Sequence, residues 1–237
     1  MAMPLSAEID QRNDAFTNAV KSSLLGDLSA MSTGSLEWLV MEHYQFSRAN
    51  VGFLRTAVEC TRQLAEPGVS TELARNADEE DGHAAMYREA MHRIGTDVDR
   101  RVEFPATTRF LAEVGRLCAP DPSRALGSLY ATETAAIFEH ESFDAICREL
   151  CGRRGHSYDG SLIKRFHDIH LEDGVEQGHK DGLAAFVDVD QAGGQVSGGQ
   201  PIDPARVRQG ALDAIDVMRV WWGALLGRAL PRSVTVA

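Results

Sequence analysis

Apolar residues recur every three or four positions along most of the chain. Trp38, Leu39, Phe46, Ala49 and Phe53 form one such stripe, Leu126, Leu129, Tyr130 and Ile137 a second, and Ile215, Met218, Trp221, Trp222, Leu225 and Leu226 a third. That spacing places each set on one face of an α-helix. Valine and isoleucine are scattered among Ala, Leu, Glu and Arg instead of alternating with polar residues, so no strand is expected. The pattern predicts an all-α protein of seven helices, over about 6–25, 35–65, 70–95, 106–118, 122–152, 159–188 and 204–229.

Local signals set the ends. Ser70, after Pro67-Gly68, is the expected cap of the third helix, and Gly95 follows its last turn. Asp121-Pro122 and Asp203-Pro204 each put a capping carboxylate before a proline at the first helical position, where its missing N–H costs nothing. Residues 189–203, rich in glycine, read as a flexible connection within one all-α domain spanning 1–237. Trp221 and Trp222 are expected in the core or an interface.

Several charged residues fall on the apolar stripes. Glu42 lies in the middle of the stripe running from Trp38 to Phe53, and Glu133 shares a face with Leu126, Leu129, Tyr130, Ile137 and His140, whereas Glu139 points about 120° away. A carboxylate aimed into such a face needs a cation, a hydrogen-bond network or a proton. Glu-x-x-His then occurs twice, as Glu80 to His83 and as Glu176 to His179. Residues three apart are neighbours on a helix, so each pair offers two adjacent ligands, with Glu79 as an alternative on the first. On the second, Glu172 falls within about 60° of Glu176 and His179, while His170 projects to nearly the opposite side. One Glu from each of two helices and Glu-x-x-His from each of two others is the arrangement that holds a pair of iron or manganese ions in a bundle. The expected ligands are Glu42, Glu80, His83, Glu133, Glu176 and His179, with Glu172, His170 and Asp173 as further candidates on the second helix. Carboxylates and imidazoles without a competing cysteine suit Fe(II) or Mn(II).

Composition narrows the partners. The 237 residues, 43% of them apolar, suffice for one substantial core, and a net charge of −11 without a basic tract disfavours nucleic acid and anionic membranes. With no signal sequence or membrane span evident, a cytoplasmic protein is expected. Cys60, Cys118, Cys147 and Cys151 lack zinc-type spacing and are expected as reduced, buried thiols.

Three stretches carry a resemblance to a known family: Asn76 to Gly95 with Glu80, Gly82 and His83; Gly127 to Glu133; and Phe166-His-Asp-Ile-His170 running to His179. Over roughly 35–188 the chain resembles the haem-oxygenase-like di-iron oxidases and oxygenases, whose seven-helix fold is shared with haem oxygenase and the TenA-type thiaminases. The resemblance implies a dinuclear site between core helices, two Fe(II)/Fe(III) ions as cofactor and O2 as co-substrate. It further implies oxidation of a small molecule in specialised-metabolite biosynthesis. A free amino acid, undergoing desaturation or ring closure, is the preferred substrate, with N-oxygenation or oxidative C–C cleavage as alternatives. Where the family's last metal helix commonly reads His-x-x-x-Asp-x-x-His, this chain has Glu172, Glu176 and His179. Either carboxylates replace His and Asp, or distortion near Gly174 and Gly178 turns His170 or Asp173 inward. A ferritin-like ferroxidase fits the ligand spacing equally well. Arg165 is the candidate for pairing with a substrate carboxylate, and Tyr130 and His140 for the pocket wall. An external electron donor is the other expected partner, and a homodimer is allowed.

Overall fold

The longest helix, α6 (Pro122–Arg153), is the axis of the molecule: α1 (Leu5–Asp27), α2 (Thr33–Thr61), α7 (Leu162–Leu171), α8 (Val175–Val187) and α9 (Pro204–Ala229) all pack on it. The computed structural model describes residues 3–119, 121–172, 174–188 and 199–230. Among these the regular structure is helical apart from an isolated bridge between Leu64 and Gln200, and it includes α3 (Pro67–Glu79), α4 (His83–Arg93) and α5 (Pro105–Leu117). All seven predicted helices are present. Two of them are broken.

The predicted third helix divides into α3 and α4 at Gly82, whose φ of 94° is open to glycine at little cost. The predicted sixth divides into α7 and α8 at Gly174, φ 75°. These two interruptions flank the candidate ligands. Helix α3 also begins earlier than expected: Glu66 accepts the Gly68 N–H as the cap, and Ser70 instead donates its hydroxyl to the Pro67 carbonyl oxygen. Asp121 and Asp203 do cap α6 and α9, accepting backbone N–H groups from Arg124 and from Ala205 and Arg206.

The contact between α6 and α9 is closer than side chains would permit. A Cβ built on Gly127 would stand 1.9 Å from the Val207 carbonyl oxygen, and one on Gly210 would stand 2.1 Å from that of Arg124. Ser128 fixes the crossing by donating to the Gly210 carbonyl oxygen at 3.1 Å. Further along, Trp221 stacks on Phe110 with ring centroids 4.1 Å apart, and both tryptophans are buried. All four cysteines are free and buried. Of the glycine-rich connection, residues 189–198 lie outside the described residues. No helix among those described is long and apolar enough to cross a membrane.

Candidate metal centre

Four elements converge beside α6: α2, the break between α3 and α4, and the two helices on either side of the break between α7 and α8. They bring together three overlapping groups of potential ligands, Glu80 with His83 and His170, His140 with His170 and Glu176, and Glu80 with Glu176 and His179. Within each group one ligand atom per residue lies within 4.8 Å of the others. Glu80, His170 and Glu176 each belong to two groups.

Glu80 is the last residue before the first break and His83 the first of α4, so this pair spans a turn instead of sharing a helix face. Their closest approach is still short, 3.3 Å between Glu80 Oε2 and His83 Nδ1. The break at Gly174 performs the inward turn of His170 that a straight helix forbids. His170 is 2% exposed, its Nε2 is 3.1 Å from His83 Nδ1 and 3.7 Å from Glu80 Oε1, and its ring stacks on His140 at 3.8 Å. Glu176 Oε1 lies 3.3 Å from His140 Nε2 and 3.9 Å from His170 Nε2. His179 holds Glu133 Oε2 at 3.2 Å from Nδ1 and Glu79 Oε2 at 2.9 Å from Nε2.

The hydrogen bonding leaves this cluster rich in acceptors. His170 Nδ1 lies 2.7 Å from the Phe166 carbonyl oxygen, which can only accept, so Nδ1 carries the proton and Nε2 presents a lone pair to its neighbours. Glu80 Oε1 and His140 Nδ1 are buried without a hydrogen-bond partner. Burial, reinforced by the charges of Glu133, Glu80 and Glu139, pushes the Glu176 carboxyl well above the usual carboxylate range. Burial also works against the ionised form of Glu80, but the His83 contact and the charge of His170 bring it below its ordinary value. His170 is lowered to about 4 and His140 further, in both cases chiefly by burial. His179 moves the other way: burial opposes its cation, and the bond to Glu133 outweighs it. Buried lone pairs and carboxylates aimed at one another need a cation to satisfy them, and divalent metal ions match these donors.

Other expected residues sit elsewhere. Glu42 is fully buried as foreseen, but it lies outside the three groups and the cavity lining, and its Oε1 accepts from Arg101 Nε at 2.9 Å. Oε1 thus has an ion-pair partner, while Oε2 is buried without a hydrogen-bond partner. Arg101→Met would strand this carboxylate in the interior and is expected to cost about 3–5 kcal/mol in urea denaturation while sparing metal content. Glu172 is largely exposed, with Lys164 Nζ at 3.7 Å. Asp173 lies outside the described residues. Arg165, the expected carboxylate anchor, is exposed and does not line the cavity beside the cluster. Tyr130 faces α1, donating to Asp10 Oδ1 at 2.8 Å, and likewise does not line the cavity.

A cavity reaches the cluster, and two ionisable residues not proposed from the sequence line it, His43 and Glu139. Glu139 was expected about 120° from Glu133. Because α6 is enclosed by five helices, that rotation leaves Glu139 within the interior. Burial raises its carboxyl to about 7 against the lowering effect of the Trp222 indole, which donates to Oε1 at 3.0 Å.

The chain has a haem-oxygenase-like fold. It is similar to a CADD-like protein of unknown function from Nostoc punctiforme, with a TM-score of 0.76 at 22% identity over 95% of this chain and 100% of the other. A domain of unknown function with a haem-oxygenase-like fold from Shewanella denitrificans gives 0.68 at 14% identity, covering 92% and 90%. A TenA homologue from Pseudomonas syringae gives 0.63 at 14% identity, covering 94% and 93%. No family model and no curated protein matches the sequence.

Proposed function

We propose that this chain is a non-haem oxidoreductase that holds two iron ions among Glu80, His83, His140, His170, Glu176 and His179 and uses O2 to oxidise a small organic substrate. The observation that carries this reading is the overlap of the three ligand groups through Glu80, His170 and Glu176. Carboxylates common to two groups, those of Glu80 and Glu176, would suit two neighbouring ions better than one ion alone. Four imidazoles and two carboxylates, with Glu133 alongside, are donors that Fe(II) accepts, and no cysteine lines the cavity to favour copper(I). When bound, the iron pair supplies the electrons that activate O2, and an external donor restores them.

The chain's own residues do the rest. The Phe166 carbonyl fixes the His170 tautomer that leaves Nε2 free to ligate, and Glu79 is placed to take the Nε2–H of His179 so that Nδ1 faces Glu133 and Glu176. Phe166 packs edge-on against His83, with centroids 6.3 Å apart, and closes that side against water. The substrate is oxidised at a C–H or N–H bond held in the cavity beside the ligands.

Anaerobic addition of Fe(II) followed by desalting is expected to leave about two irons per chain. Admission of O2 should then consume it, faster in the presence of a substrate found by screening amines, amino acids and fatty acids. Absence of iron uptake would sink the proposal. Iron oxidation at one rate, whatever organic compound is present, would indicate an iron-handling protein instead.

A further inference from the structure

The cavity that reaches the ligand cluster has a second wall, made by His43, Phe46, Ser47, Asn50, Thr132 and Ala136. Glu139 is set into it, 4% exposed. This glutamate belongs to none of the three ligand groups. Its Oε1 is occupied by the Trp222 indole, and its Oε2 has His43 Nε2 at 3.9 Å, too long for a hydrogen bond. His43 is no counter-cation, because its ring is buried and stacked on Phe143 at 3.9 Å, and its Nδ1 has no partner at all. Among the described residues no lysine or arginine lines the cavity, and four carboxylates do, those of Glu80, Glu133, Glu139 and Glu176. Glu80 and Glu176 belong to the ligand groups, and Glu133 is held by His179. Glu139 is left over.

We infer that Glu139 receives the ammonium group of the substrate, and that the substrate is a primary amine. An ammonium offers three N–H donors and a full positive charge, which is what a buried carboxylate with a free oxygen lacks. The cavity is about 30 Å³, room for a head group the size of one or two waters but not for an aromatic ring. Phe46 adds an apolar face for the following methylene groups, while Ser47 and Asn50 keep that wall polar. The inference rests on the metal reading above in that Glu80 and Glu176 are taken up as ligands and Glu139 is not.

The test uses the full chain loaded with Mn(II) under anaerobic conditions and three probes of one length: n-butylamine, n-butanol and butyrate. Bound Mn(II) broadens the proton resonances of any probe held in the cavity, so binding is read without turnover. Butylamine is expected to saturate at concentrations at least about tenfold below the other two. Glu139→Gln, which keeps a carbonyl oxygen for the Trp222 indole, should weaken butylamine at least about tenfold and leave Mn(II) content unchanged. Equal binding by E139Q, or butanol binding as tightly as butylamine, would overturn the inference. So would loss of Mn(II) from E139Q, since Glu139 would then be a ligand. If the wild-type chain takes up no Mn(II), the metal reading fails separately. Saturation-transfer NMR on the metal-free protein then decides whether butylamine binding depends on Glu139.

Discussion

Glu176→Ala is expected to remove at least about half of the iron that the wild-type chain retains after anaerobic loading and desalting, because Glu176 serves two of the three ligand groups and stands between His140 and His170. Misfolding would produce the same loss, so the metal-free proteins must be compared as well. Without metal, the Glu176 carboxyl is a burden: burial and the neighbouring glutamates resist its ionisation. Metal-free Glu176→Ala should therefore melt no lower than metal-free wild type. Added Fe(II) should raise the melting temperature of the wild type strongly, since a ligand at about a thousand times its Kd stabilises by about 4 kcal/mol, and that of the variant little. Iron content measured by elemental analysis, together with the paired melting curves, checks both halves. Wild-type iron content in the variant would exclude Glu176 as a ligand.

Gly127→Ala is expected to be the most damaging single methyl in the protein. Its Cβ would be placed 1.9 Å from the Val207 carbonyl oxygen, a backbone atom that cannot swing aside, so α9 must move off α6. Overpacking in a filled core costs about 1–3 kcal/mol and occasionally more, and this contact should reach the upper end. For a chain of this size that is a fall of about 6–12 °C in melting temperature. Gly210→Ala, from the other side of the same crossing, should behave alike. Gly223→Ala on α9, where the added atom meets nothing within 4 Å, should instead stabilise by about 0.5–1 kcal/mol through helix propensity. If the two α9 substitutions lowered the melting temperature equally, the close crossing would not be the cause.

The helices were legible because amphipathic stripes and Asp-Pro starts are strong, local signals, and Asp121 and Asp203 act as read. The breaks were not. A lone glycine inside a helical pattern costs only about 1 kcal/mol and is often tolerated, so Gly82 and Gly174 do not announce a left-handed residue. That omission propagates into the site, since a straight helix turns His170 outward, and only the change of direction at Gly174 brings it to His83 and His140. The facial argument did identify Glu42 as buried. It could not identify the partner, because Arg101 comes from the short turn at Val98–Arg100 and its approach depends on tertiary packing. Glu139 was passed over for a related reason: on a helix surrounded by others, no direction leads to solvent. Of the expected residues, Glu80, His83, Glu133, Glu176 and His179 do converge, and His140 joins them as a member of a ligand group.

The breaks at Gly82 and Gly174 give the centre an architecture of loose ends. Glu80 closes α3, His83 opens α4, His170 lies in the last turn of α7 and Glu176 in the first turn of α8, so four helix tips meet where the ions would sit. A continuous helix would carry its ligands as fixed studs on a rod. Here bound ions would act as rivets between four short rods, and the stiffness of this region would be set by metal occupancy as much as by side-chain packing.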